Sequence, residues 1–184
     1  MTHTAATGSA LRLVPLSLDH LASVMTWVND HEVMQYFAAR QTDITEDEER
    51  RYIAGLIASK TDRAWSIFEG DTYVGQCSLN QIYWPARNGR LFIVIARAHQ
   101  GRGLGPRAVS LLLHHAWNEL KLHKVWLIVR RDNRDALAMY TRLGFDFEGV
   151  LPDEYFVHGR FHDMVRMSVI EPPTREPDPD TLTP

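Results

Sequence analysis

The run Gln100-Gly101-Arg102-Gly103-Leu104-Gly105-Pro106 places a glycine at every second position, directly after the apolar segment Leu91 to Ala96 and at the head of a helical segment ending near Leu120. Glycine admits backbone conformations and close approaches that a Cβ forbids, so several N–H groups can converge on one anion. The positive end of a helix dipole points at the same place. Pro106 suits the first helical turn, where a missing N–H costs nothing. The chemistry implied by strand, glycine turn and helix start in this order is phosphate binding. Two phosphate motifs are excluded. A dinucleotide fingerprint needs glycine where Pro106 stands, and no Lys-Ser or Lys-Thr pair follows as a P-loop requires. The competing reading is an ordinary glycine-rich turn between a strand and a helix.

The elements that must hold this loop can be read from periodicity. Leu11, Leu13 and Leu16 suggest a short first strand, and Leu18 to Trp27 an amphipathic helix broken at Asn29-Asp30. Thr45-Glu46-Asp47-Glu48 is a capping-box pattern that opens a helix through Tyr52, Ile53, Leu56 and Ile57. From Ala64 the texture becomes aromatic and β-branched. Trp65 to Phe68, Tyr73 to Asn80 and Leu91 to Ala96 are expected strands, with turns at Gly70-Asp71 and Asn88-Gly89. A helix from Pro106 to Leu120, a strand Lys124 to Val129, a helix Arg134 to Leu143 stopped by Gly144, and strands Phe145 to Val150 and Arg160 to Val169 complete the chain. A meander running into a strand-helix-strand-helix unit predicts a mixed α/β (α+β) sandwich.

Length and composition bound the function. A chain of 184 residues is expected to form one domain with a single sizeable core. The expected boundaries are a disordered N-terminus over 1–10, a folded domain over 11–170 and a disordered tail rich in proline and acid over 171–184. One cysteine, Cys77, excludes an internal disulfide and fits a reducing cytoplasm. No basic stretch followed by a long apolar one suggests a signal peptide or a membrane span. A net charge of −3 argues against a general nucleic-acid binder. His114 and His115 adjoin on one helix and face different ways, so metal binding is not expected.

A second motif lies about thirty residues downstream of the glycine loop: Asn133-Arg134-Asp135-Ala136-Leu137-Ala138-Met139-Tyr140-Thr141-Arg142-Leu143-Gly144-Phe145. Loop and motif together resemble the signature of the GNAT superfamily of acyl-CoA N-acyltransferases. Trp27-Val28-Asn29-Asp30-His31-Glu32-Val33 and Gly159-Arg160-Phe161-His162-Asp163 resemble its RimJ/RimL-like branch, relatives of the spermidine and nucleotide-amino-sugar N-acetyltransferases. The resemblance covers about Leu11 to Ile170. It implies a GNAT fold, in which a central, mostly antiparallel sheet flanked by helices is splayed at the cofactor strand. It also implies a cytoplasmic enzyme, open to homodimer formation, that moves an acetyl group from acetyl-CoA to a primary amine without a metal. The amine would belong to an amino sugar, an amino acid derivative or a polyamine. The alternatives are a protein N-terminus and a non-catalytic acyl-CoA-binding role.

The resemblance carries roles to named residues. The pyrophosphate of coenzyme A would lie on Gln100, Gly101, Arg102, Gly103, Leu104, Gly105 and Pro106, and the pantetheine arm along Ile93, Val94 and Ile95. Arg97 and Arg107 are nearby cations, and each arginine could equally be a solvated surface charge. Asn133 can cap its helix or hydrogen-bond the pantetheine. Ala136 replaces a serine common in the family, and Arg142 is a candidate for the adenosine phosphates or an exposed helix charge. A lysine-like amine, with a pKa near ~10.4, must lose a proton before it attacks the thioester. A backbone N–H near Ile95 would hold the developing oxyanion. Tyr140, with a reference pKa of ~10 against ~8.5 for a thiol, would return a proton to the thiolate. The alternative for Tyr140 is a core aromatic packed with Leu137 and Leu143.

Two departures matter. Many relatives have a glutamate where Arg90 stands, and arginine stays protonated and cannot serve as a base. Asp30, Glu32, His115, Glu154 and His162 are the other candidates for the proton relay, with a water chain as the alternative. After Tyr36-Phe37 the spermidine enzymes tend to have acidic residues, whereas Ala38-Ala39-Arg40 stands here, which predicts that spermidine is a poor acceptor.

Overall fold

A computed structural model of the chain describes residues 10–37, 42–157 and 159–171. Most of the two expected disordered ends, and the Ala38-Ala39-Arg40 segment, lie outside the described residues. Seven strands form one sheet: β1 (Leu11–Pro15), β2 (Arg63–Glu69), β3 (Thr72–Tyr83), β4 (Asn88–Ile95), β5 (Lys124–Arg130), β6 (Asp146–Val157) and β7 (Arg160–Ile170). The helices are α1 (Leu21–Met25), α2 (His31–Met34), α3 (Glu46–Ala58), α4 (Leu104–Asn118) and α5 (Arg134–Arg142). The strand order is β1-β2-β3-β4-β5-β7-β6, antiparallel throughout except between β4 and β5. The mixed sheet flanked by helices is the architecture expected.

Local chemistry sets the elements. The Thr45 side chain accepts the Glu48 N–H, Glu48 accepts the Thr45 N–H at 2.9 Å, and four acidic residues in the first turn of α3 complement its dipole. The segment expected as one helix over Leu18 to Trp27 is a 3-10 turn at Leu18–His20, capped by Ser17, leading into α1. The turn expected at Asn88-Gly89 falls earlier. Pro85 sets a 3-10 turn over Trp84–Ala86, Arg87 closes it at φ 49°, and Asn88 and Gly89 are already paired in β4. Strands β3 and β4 approach so closely that a Cβ on Gly75 would stand 2.2 Å from the Val94 carbonyl oxygen.

Strand alternation gives the sheet two different faces. Leu91, Ile93 and Ile95 of β4, with Val125, Leu127 and Val129 of β5, face α4 and α5. There α4 buries Leu104, Ala108, Val109, Leu112 and Ala116, each large side chain contributing about 1.5–3 kcal/mol. Phe92 and Val94 face the other way, towards Leu21 and Val24 of α1, Val33 of α2 and Ile53 of α3.

The parallel pairing of β4 with β5 is short. It joins Asn88 to Lys124, Gly89 to Val125 and Arg90 to Trp126, and ends there. Beyond it β4 stays on β3 as far as Ile95, and β5 stays on β7 as far as Arg130. The sheet is therefore split between two intact lips.

Candidate active site

The split opens into a cavity of about 780 Å³. The Ala96 N–H donates to the Val74 carbonyl at 2.9 Å, so alternation directs the backbone groups of Phe92 and Val94 at β3 and those of Ile93 and Ile95 into the split. Of the edge expected from Ile93, Val94 and Ile95, Val94 has its backbone in the β3 ladder and its side chain buried on the opposite face. The same alternation turns the Ile95 N–H to the split, while the Ile95 carbonyl accepts the Gln100 amide at 2.9 Å.

The glycine loop lies at one end of this cavity. Gly101 (φ 73°) and Gly103 (φ 71°) are left-handed, a region that costs other residues about 1–2 kcal/mol. Gly103 caps α4 without a side chain, so the first N–H groups of that helix face outward with no local acceptor. Gln100, Gly101, Gly103, Leu104, Gly105 and Pro106 all line the cavity. Arg102 does not. Its guanidinium turns to β2, where it pairs with Glu69 at 2.6 Å. Arg97 pairs with Glu32 at 2.8 Å, and Arg107 is exposed away from the cavity.

Helix α5 forms the same wall. The Asn133 Oδ1 accepts the Ala136 N–H at 3.2 Å, which caps the helix and leaves the side-chain amide nitrogen for the cavity. Ala136 and Arg142 line it too. Tyr140 is buried, with its ring edge-on to Phe145 at 5.4 Å, and it also lines the cavity. Its hydroxyl has no hydrogen-bond partner among the described residues, and burial pushes its pKa far above the usual tyrosine value. The proton is therefore held at every physiological pH.

Through the split the cavity reaches the other face of the sheet, where sequence reasoning found little. Tyr36, Asn80, Arg90, Arg130, Tyr155 and Met164 line this end. Arg130 bonds to Asp132 and to the Gln35 carbonyl and lies over the Tyr36 ring. None of the five residues named for the proton relay lines the cavity. Asp30 caps α2, Glu32 holds Arg97, His115 stacks on Trp65, and Glu154 and His162 lie on β6 and β7 outside it. Alternation along β5 could have pointed to Leu127 and Val129 as the second lip. No sequence signal joins Tyr155 to Arg90 across 65 residues.

A slot that runs from an anion-binding helix start through a split sheet fits a long thiol carrier with a pyrophosphate at one end. Residues 10–146 match the family described as "Acetyltransferase (GNAT) domain". The chain belongs to the GNAT acetyltransferase family. It is similar to spermidine N(1)-acetyltransferase of Escherichia coli, with 28% identity over 88% of this chain and 87% of that one. It is similar also to the ribosomal-protein-serine acetyltransferase of the same organism, with 23% identity over 89% and 94%. Among solved structures, spermidine N-acetyltransferase from Vibrio cholerae, in complex with CoA and spermine, superposes with a TM-score of 0.82 at 27% identity over 87% and 95% of the two chains. This GNAT protein is an acetyl-CoA-dependent N-acetyltransferase acting on a primary amine. Among the described residues no helix is long and apolar enough to cross a membrane, and no group of three or more His, Cys, Asp or Glu side chains could hold a metal.

Proposed function

We propose that the chain acetylates the primary amine of a small molecule, with the glycine-loop face receiving acetyl-CoA and the opposite face receiving the amine. The observation that carries this reading is the split itself, which joins an anion-binding helix start to a polar chamber through the plane of the sheet. The loop from Gln100 to Pro106, without the Arg102 side chain, would hold the pyrophosphate. The edge of Ile93 and Ile95 would pair with the pantetheine, and Asn133 and Arg142 would flank it. Bound there, acetyl-CoA supplies an activated acyl group. The Ile95 N–H is aimed into the split, where negative charge builds on the attacked carbonyl oxygen. Tyr140 supplies the donor for the departing sulfur. With no carboxylate of the opposite face lining the cavity among the described residues, the amine's proton would leave through water.

The relatives that act on spermidine support a polyamine acceptor. The expectation that spermidine is poor rests on Ala38-Ala39-Arg40, outside the described residues. The test is thiol release from acetyl-CoA by purified protein with spermidine, an amino sugar, an amino acid and a peptide N-terminus. Turnover of a small amine above the peptide supports the reading, and a marked preference for the peptide overturns it.

A further inference from the structure

We infer that the acceptor carries a negatively charged group beside its reactive amine, and that Arg90 binds it. This rests on the acetyl-transfer reading above and narrows the acceptor.

Arg90 is the last residue of β4 paired to β5 before the split, on the same face as Phe92, and it lines the cavity there. Its guanidinium is held in place. One Nη donates to the Tyr155 hydroxyl at 2.9 Å, and the group lies 5.8 Å from the Trp126 ring centroid, while Arg166 stacks on the same ring at 4.0 Å. One of five guanidinium donors is thus engaged. Among the described residues Arg90 has no carboxylate partner, whereas several other arginines do. Arg97 has Glu32, Arg130 has Asp132, Arg131 has Asp163, and Arg166 has Glu148.

Two acids near this face are engaged. Glu148 accepts from Lys124, Ser168 and Arg166, and Asp132 holds Arg130. Among the described residues the one carboxylate that lines the cavity, Asp135, lies in the first turn of α5. A half-buried cation with an open fork of donors is completed by an anion from outside, in the bidentate manner that suits carboxylate or phosphate.

A second group adds a separate requirement for a donor. Asn80 is the cross-strand partner of Arg90, lines the same cavity, and its buried Oδ1 has no hydrogen-bond partner. An acceptor that brings an anionic oxygen to Arg90 and a hydroxyl or N–H donor to Asn80 satisfies both. A polycation satisfies only the second and faces a like charge.

Matched amines read this directly: 4-aminobutyrate against 1,4-diaminobutane for a carboxylate, glucosamine 6-phosphate against glucosamine for a phosphate, and spermidine. The expected result is kcat/KM at least tenfold higher for the anionic member of one pair, which also says which anion fits. Arg90→Gln should collapse that ratio mainly through KM, Arg90→Lys should restore part of it, and Arg90→Glu should invert it. Melting temperatures accompany each variant, because a merely structural Arg90 would lower turnover of both members of a pair alike and leave their ratio unmoved. An unmoved ratio, or spermidine or the diamine as best substrate of the wild-type protein, overturns this inference and leaves the acetyl-transfer reading standing. No turnover of any small amine overturns both.

Discussion

The two ends of the cavity are built from different material. On the α4 and α5 side the lining is chiefly backbone and apolar surface, with left-handed Gly101 and Gly103, the uncapped start of α4, the free edge of Ile93 and Ile95, and Leu127 and Val129 opposite, joined by the polar side chains of Gln100, Asn133, Asp135 and Arg142. On the other side it is long polar side chains, with Arg90, Arg130, Tyr155, Asn80 and Tyr36 contributed by β4, β5, β6, β3 and the chain after α2. A ligand common to a whole family is met by backbone geometry, which tolerates sequence drift elsewhere. A ligand particular to one member is met by side chains that can be exchanged singly without disturbing the sheet.

That contrast can be broken at the backbone end first. Gly103→Glu puts a Cβ at φ 71° and a carboxylate where the pyrophosphate is expected, and like-charge placement of this kind costs several kcal/mol. Calorimetry should register a loss of acetyl-CoA affinity of about 100-fold or more, corresponding to about 2.7 kcal/mol. Unchanged affinity would remove the loop from the site.

Tyr140→Phe cuts at the point where the two ends meet. It keeps the ring against Phe145 and removes a hydroxyl that satisfies no other described group, so the melting temperature should barely move. Turnover should fall by roughly 10²-fold, the low end for general acid catalysis, with acetyl-CoA affinity retained. Because burial raises the Tyr140 pKa, any alkaline loss of rate below about pH 10 has another origin. A variant at full rate leaves water as the proton donor.

The smallest effect sharpens the comparison from outside both ends. Glu148 ties β5, β6 and β7 together through Lys124, Arg166 and Ser168. Although burial opposes ionisation, those donors hold its pKa below the ordinary carboxylate value. The stability it adds is present above its unfolded pKa and lost as pH falls through the lower folded one. Glu148→Gln should cost about 1–2 kcal/mol at neutral pH, discounted for partial exposure, or about 2–8 °C. The gap to wild type should close below about pH 4. A gap that persists in acid would mean that packing, not charge, is what Glu148 provides.

The same contrast explains what could be read in advance. The glycine loop, the Thr45 cap, the strand periodicities and the Asn133 to Phe145 motif are local patterns, and each reports on a local backbone state that tertiary packing did not override. The placements of Val94 and Arg102 depend on geometry that no local pattern carries. Which edge of a strand is free depends on the register with its other neighbour, and where a long side chain points depends on a partner such as Glu69, 33 residues away. The chamber around Arg90 was illegible because its members converge only after β6 has returned alongside β7, through contacts between side chains with no periodic signature. Arg90 itself stood out in the sequence as an absence of glutamate. Its surroundings give that substitution a positive meaning.

The three residue pairs that fasten β4 to β5 are also a mechanical statement. On either side of them stand two complete small sheets, β1 to β4 and β5 to β7, each with its own ladder of hydrogen bonds. They stand like two plates riveted at one end, and what spans them beyond the rivet is packing, because Leu91, Ile93 and Ile95 share one buried cluster with Val125, Leu127 and Val129. An extended ligand entering the gap would therefore meet strand backbone without opening the ladder of either plate.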